Sequence, residues 1–115
     1  MTSALLLWVR AFVFTQIVEA PIYRRMLGVT WPQALLPTTL THPFVWFVFP
    51  WVLQRQLGVD YVPMVVIAEL FAWLVEAAVL VNPPISFRRA LTASLVANGS
   101  SVALGLASRS LFGAP

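Results

Sequence analysis

Four apolar runs, each about 18 to 21 residues long, occupy most of this chain and limit what it can fold into. A helix rises about 1.5 Å per residue, so each run is long enough to cross about 30 Å of hydrocarbon. They cover residues 4–22, 34–53, 61–81 and 90–110, and what lies between them is too short for a soluble domain. The 115 residues are therefore read as a single transmembrane domain, an all-α membrane protein with four transmembrane helices.

Composition agrees. Hydrophobic residues make up 60% of the chain and charged residues 10%, against about 25% charged in an ordinary soluble domain. A soluble protein this small could not hide so much apolar surface. The seven basic residues are all arginine and give a net charge of +3. They punctuate the apolar runs, with pairs at Arg24-Arg25 and Arg88-Arg89, as charges at membrane edges do. No polar face remains for a nucleic acid, and no nucleic-acid partner is expected. Without cysteine, disulfides, thiolate metal sites and cysteine nucleophiles are excluded. Met1-Thr2-Ser3 carries no positive side chain and Arg10 interrupts the first run, so that run is read as a retained span, not a cleaved signal. The two arginine pairs put their loops inside and both termini outside.

The second run is unusual. Pro37, Pro43 and Pro50 lie within it, beside Pro32. Each interior proline removes a backbone donor, so the second helix is expected to be broken or kinked. Its second half, Phe44 to Trp51, is a dense aromatic block of the kind found in interfacial belts.

Arg10, Gln16, Glu19, His42, Glu69, Glu76 and Asn98 all fall within the runs. A charged residue near mid-span costs about 2.5–3.5 kcal/mol on insertion scales. Such residues point first to function. Glu69 and Glu76 are seven apart, on one helix face and about 10 Å from each other along the axis. Ser94, Asn98, Ser101 and Gly105 form a narrow stripe of small and polar side chains, the kind that lets membrane helices approach closely. Thr15, Gln16 and Glu19 share a face of the first helix, and Thr41 precedes His42 on the second. Counting from the span ends places Glu19, His42, Glu76 and Asn98 in the inner half of the bilayer, where inward-turned faces would gather them around one polar centre.

Such a centre fits an oligomeric channel or transporter for protons or small cations. Glu19, Glu69 and Glu76 would carry the ion or proton, and His42 would relay or gate it. Asn98, Ser94, Ser101, Gln16 and Thr41 would orient them. The bland alternative is a set of interhelical hydrogen bonds, each worth about 0.6 kcal/mol. Amides and hydroxyls would fix packing at less cost than glutamates, which favours function. A homo-oligomer is expected because four short helices enclose little volume. A different class of reading makes the stripes docking faces of a noncatalytic subunit in a larger membrane complex. A third reading gives His42 to a haem, a chlorin or, with Glu19 and Glu76, a divalent metal. A single histidine cannot form a bis-His haem within one chain, and the Glu-x-x-His spacing of di-iron bundles is missing, so no cofactor is the leading expectation. No nucleophile motif, P-loop or His-Glu-x-x-His occurs, and an enzyme is not expected.

Glu19, Leu40-Thr41-His42-Pro43 with Trp46, Ala68-Glu69 through Val75-Glu76-Ala77, and Ser94-x-x-x-Asn98-x-x-Ser101 with Gly105 resemble a widespread group of small, functionally uncharacterised bacterial four-span membrane proteins. The resemblance covers roughly residues 10 to 106, and Thr-His-Pro is its most specific element. It implies a multi-pass protein of the bacterial inner membrane and treats these polar positions as one set. The size and layout are also similar to the small multidrug resistance exporters, which use a first-helix glutamate. Glu19, however, comes late in its helix and the surrounding motifs depart from theirs.

Overall fold

A computed structural model describes residues 2–82 and 84–112. The described residues are almost entirely helical. Four α-helices run in the order α1 (Thr2–Leu27), α2 (Trp31–Pro43), α3 (Tyr61–Leu80) and α4 (Phe87–Phe112). Three of them, α1, α3 and α4, are long and apolar enough to cross a membrane.

The connections are short and locally determined. After α1, Gly28 adopts φ +70°, a left-handed conformation open to glycine at little cost. Thr30 then caps α2: its hydroxyl accepts from the Gln33 backbone N–H, and the Gln33 side chain accepts from the Thr30 N–H. Gly58, at φ +69°, turns the chain into α3. α3 ends at Leu80, and Ile85 N–H donates to the Asn82 carbonyl in the tight turn before α4. Pro83 lies outside the described residues, as do Met1 and residues 113–115.

The second segment does not remain α-helical. α2 is 13 residues long, and beyond Pro43 the chain continues in π-helical turns over Phe44–Val48 and Pro50–Gln56. Phe49 N–H reaches back five residues to the Phe44 carbonyl, and Leu57 N–H reaches the Val52 carbonyl at 3.1 Å. The cause is local. Pro43 and Pro50 lack the N–H that would close an α-turn, and their rings crowd the carbonyl four residues earlier. Widening the helix relieves both.

Each long helix packs on two neighbours, with α1 against α2 and α4, and α3 against α2 and α4. The helices approach closely because their facing residues are small: Ala34, Ala77, Ala90, Ala93 and Ala97 are fully buried. The outer surface carries Leu5, Ile17, Val62, Leu95 and Leu104, all exposed, while Glu19, Glu76, Thr38 and Ser94 are buried. Apolar outside and polar inside is the distribution suited to lipid.

Candidate functional site

The polar interior centres on two carboxyl groups. Glu19 comes from the second half of α1 and Glu76 from the last turns of α3, and each is 1% exposed. Hydroxyls and an amide from the other helices surround them. Glu19 accepts from Thr38 Oγ1 at 2.7 Å and from Ser101 Oγ at 2.6 Å. Glu76 accepts from Tyr23 Oη at 2.5 Å, Thr41 Oγ1 at 2.7 Å and Asn98 Nδ2 at 3.4 Å. The two carboxyl groups are neighbours in this one cluster and line the same cavity. No arginine or histidine among the described residues bonds to either acid.

Helical spacing accounts for the convergence. Glu19 and Tyr23 are four apart on α1, Thr38 and Thr41 three apart on α2, and Ser94, Asn98 and Ser101 follow the i, i+4, i+7 stripe on α4. Asn98 is itself held by the Ser94 carbonyl at 2.9 Å and the Ser94 hydroxyl at 3.1 Å. Ser94 Oγ donates to the Trp73 carbonyl and Trp73 Nε1 donates to the Leu91 carbonyl, which clamps α3 to α4 just beside the pair.

The acids lie at the base of a cavity of about 410 Å³. Leu7, Tyr61 and Arg109 stand at its far end, so it runs toward the end of the bundle that holds both chain termini. Asn98 to Arg109 spans roughly 16 Å and Glu76 to Tyr61 roughly 22 Å along their helices. Below the acids the bundle closes. Tyr23, Ala34 and Ala77 are fully exposed to nothing but protein, and Leu27, Val29, Leu80 and Ile85 continue the apolar plug toward the arginine-pair end. A second hollow, of about 510 Å³, lies beyond it between the α1–α2 and α3–α4 connections. Its nearest α3 residue, Val79, is three positions from Glu76, so along that helix the septum is about one turn thick.

The remaining residues singled out in the sequence take different places. Glu69 lines the cavity two turns from Glu76 toward its mouth and is half-buried. His42 also lines it but does not touch the acids. Its Nε2 lies 3.4 Å from Thr15 Oγ1, and its Nδ1 is buried without a hydrogen-bond partner. Trp8, Phe12 and Trp46 surround the ring at centroid distances of 6.2, 5.5 and 6.0 Å. His42, Glu19 and Glu76 therefore do not form one ligand set, and the described residues contain no group of three or more metal-ligating side chains. Gln16 lies on the outer α1–α2 seam, donating to the Leu35 carbonyl at 2.9 Å and to Thr39 Oγ1 at 3.0 Å, and is not part of the cavity. Arg10 is exposed.

Two members of the acid cluster, Tyr23 and Thr38, were not singled out in the sequence as site residues. Tyr23 stands just before Arg24-Arg25 and reads as an interfacial aromatic, yet its four-residue offset from Glu19 puts it on the inward face. Thr38 is set three residues before Thr41 in the same way. Compared with protein-family models, curated proteins and solved structures, the chain matches none of them.

Proposed function

We propose that this chain is a four-span protein of a bacterial inner membrane, with both termini outside, that moves protons or small cations across it. The second segment, from Trp31 to Gln56, is the fourth span and bends where its prolines force the helix wide. The Glu19–Glu76 pair is the binding site. One observation carries this reading: two buried acids lie together at the base of a large cavity, bonded to neutral groups alone, with a septum about one turn thick between them and a second hollow.

Packing needs do not account for that arrangement. Buried charge is costly, and hydroxyls or amides would join the same helices at lower cost. A carboxyl pair with no fixed counter-charge can instead exchange its proton for another proton or a cation. Glu69 is a relay toward the mouth, and Tyr23 is the gate on the septum. The site is complete within one chain, so the mechanism does not need a second copy.

The test is flux from purified protein in liposomes under an imposed proton or cation gradient. Wild-type protein should conduct, and Glu19→Gln and Glu76→Gln should reduce flux at least tenfold while keeping the helical fold. Well-folded wild-type protein that passes neither protons nor cations would sink the proposal and favour an assembly subunit.

A further inference from the structure

The arginine-pair end of the bundle carries charge that no acidic side chain among the described residues offsets. Arg24, Arg25, Arg88 and Arg89 are all exposed there. The acidic residues of the chain are Glu19, Asp60, Glu69 and Glu76. Glu19 and Glu76 are buried in the core, Glu69 lies two turns farther away, and Asp60 sits at the opposite end. Within this end, Arg24 is occupied by stacking over the Trp31 ring at 4.6 Å.

Arg88 and Arg89 are placed differently. With Met26, Leu27 and Thr92 they line a hollow of about 280 Å³ between the end of α1 and the first turns of α4. Arg89 spans it, its Nη2 3.4 Å from the Met26 carbonyl. That contact uses one of the five N–H donors of a guanidinium. The Arg88 side chain makes no hydrogen bond to the described residues. Two guanidiniums with unused donors thus flank a hollow whose remaining wall is Met26, Leu27 and Thr92, with the apolar Met26 continuing into the exposed outer surface.

We infer that this hollow binds the phosphate of an anionic lipid headgroup. Guanidiniums match phosphate oxygens in a fork geometry. Basic pockets between membrane helices at this level are suited to anionic headgroups. The apolar wall selects a lipid over a free anion, because it receives the glycerol and the first acyl carbons while the arginines hold the phosphate. The occupant joins the end of α1 to the start of α4, which pack through Leu27 and Ala90 and are linked at this level by the Arg89–Met26 hydrogen bond. This inference requires membrane insertion but not ion movement, so it stands apart from the flux experiment.

Native mass spectrometry of the detergent-purified protein tests it, with phosphatidylglycerol, phosphatidylcholine and inorganic phosphate as probes. Wild-type protein should retain phosphatidylglycerol in preference to phosphatidylcholine, and millimolar inorganic phosphate should not displace it. Arg88→Gln with Arg89→Gln should weaken retention about thirtyfold. Arg88→Gln alone, which removes no bond within the protein, should weaken it about fivefold even if the double variant folds poorly. Arg10→Gln and Arg55→Gln, away from this end, should leave it unchanged. Equal retention by wild type and Arg88→Gln would overturn the inference. So would an equal loss on Arg24→Gln, which would show diffuse surface charge, or displacement by inorganic phosphate, which would show a small-anion site.

Discussion

Tyr23 shows how much a single residue contributes here. Its hydroxyl is the shortest of the three donors to Glu76, and its ring fills the septum below the acids. Tyr23→Phe keeps the ring and removes the hydroxyl, so Glu76 Oε1 loses the shorter of its two donors and keeps only Asn98 Nδ2 at 3.4 Å. The expected cost is about 1–2 kcal/mol of unfolding free energy, measured by reversible unfolding in bicelles. An unchanged stability would mean that the Tyr23–Glu76 bond is not made in the membrane. The acids and Asn98 were legible in the sequence because a polar group within an apolar run stands out. Tyr23 and Thr38 were not. A tyrosine beside two arginines has a sufficient explanation at the interface, and a threonine in a span satisfies its own backbone so readily that it carries little signal. His42 also stood out, but its partners, an aromatic cage and Thr15, depend on the rotation of α1 against α2, which one sequence does not specify.

Among the elements, the second segment departs furthest from its sequence expectation. The prolines announced a disturbance, while the form it takes, π-helical turns after Pro43 and Pro50, depends on which carbonyls can find a donor one residue farther along. The connections turn on glycines at positive φ, and the glycines give a contrast in stability. At Gly58, φ is +69° and an added Cβ would meet nothing within 4 Å, so Gly58→Ala isolates the backbone cost. That substitution should destabilise by about 1–2 kcal/mol. Gly99, in the middle of α4 and equally uncrowded, has no such conformation. Gly99→Ala should leave stability unchanged or raise it by up to about 1 kcal/mol. Thermal unfolding of the two variants side by side checks both, and equal shifts would contradict the assigned backbone conformation.

At the scale of the whole molecule, the arrangement is a four-helix bundle with its apolar surface outward, a cavity that enters from one end and reaches the acids at its base, and an apolar plug at the other end. The helical content and the outward-facing apolar surface follow from run length and composition. The cavity does not: it depends on which faces of α1, α2, α3 and α4 meet, and the alanines that bring them together look ordinary in a hydropathy profile. The polar stripe on α4 was visible as spacing, but its partners on α1 and α3 became identifiable only when the helices were placed. Loss of flux in Glu76→Gln with the fold retained would tie the cavity to transport. Loss of the fold would make the acids part of the packing.

The account rests on the acid pair lying at the base of a cavity open from the terminus-bearing side alone. The chain contains no cysteine, so single cysteines can be placed without background. Val102 lines the cavity about one turn above Asn98, and Ala97 is buried in the plug. The decisive measurement is the reaction of Val102→Cys and Ala97→Cys with a membrane-impermeant thiol reagent, added to either side of oriented proteoliposomes. Val102→Cys should react from the terminus-bearing side only, and Ala97→Cys from neither. Reaction of Val102→Cys from the arginine-pair side, or no reaction at all, would contradict the account.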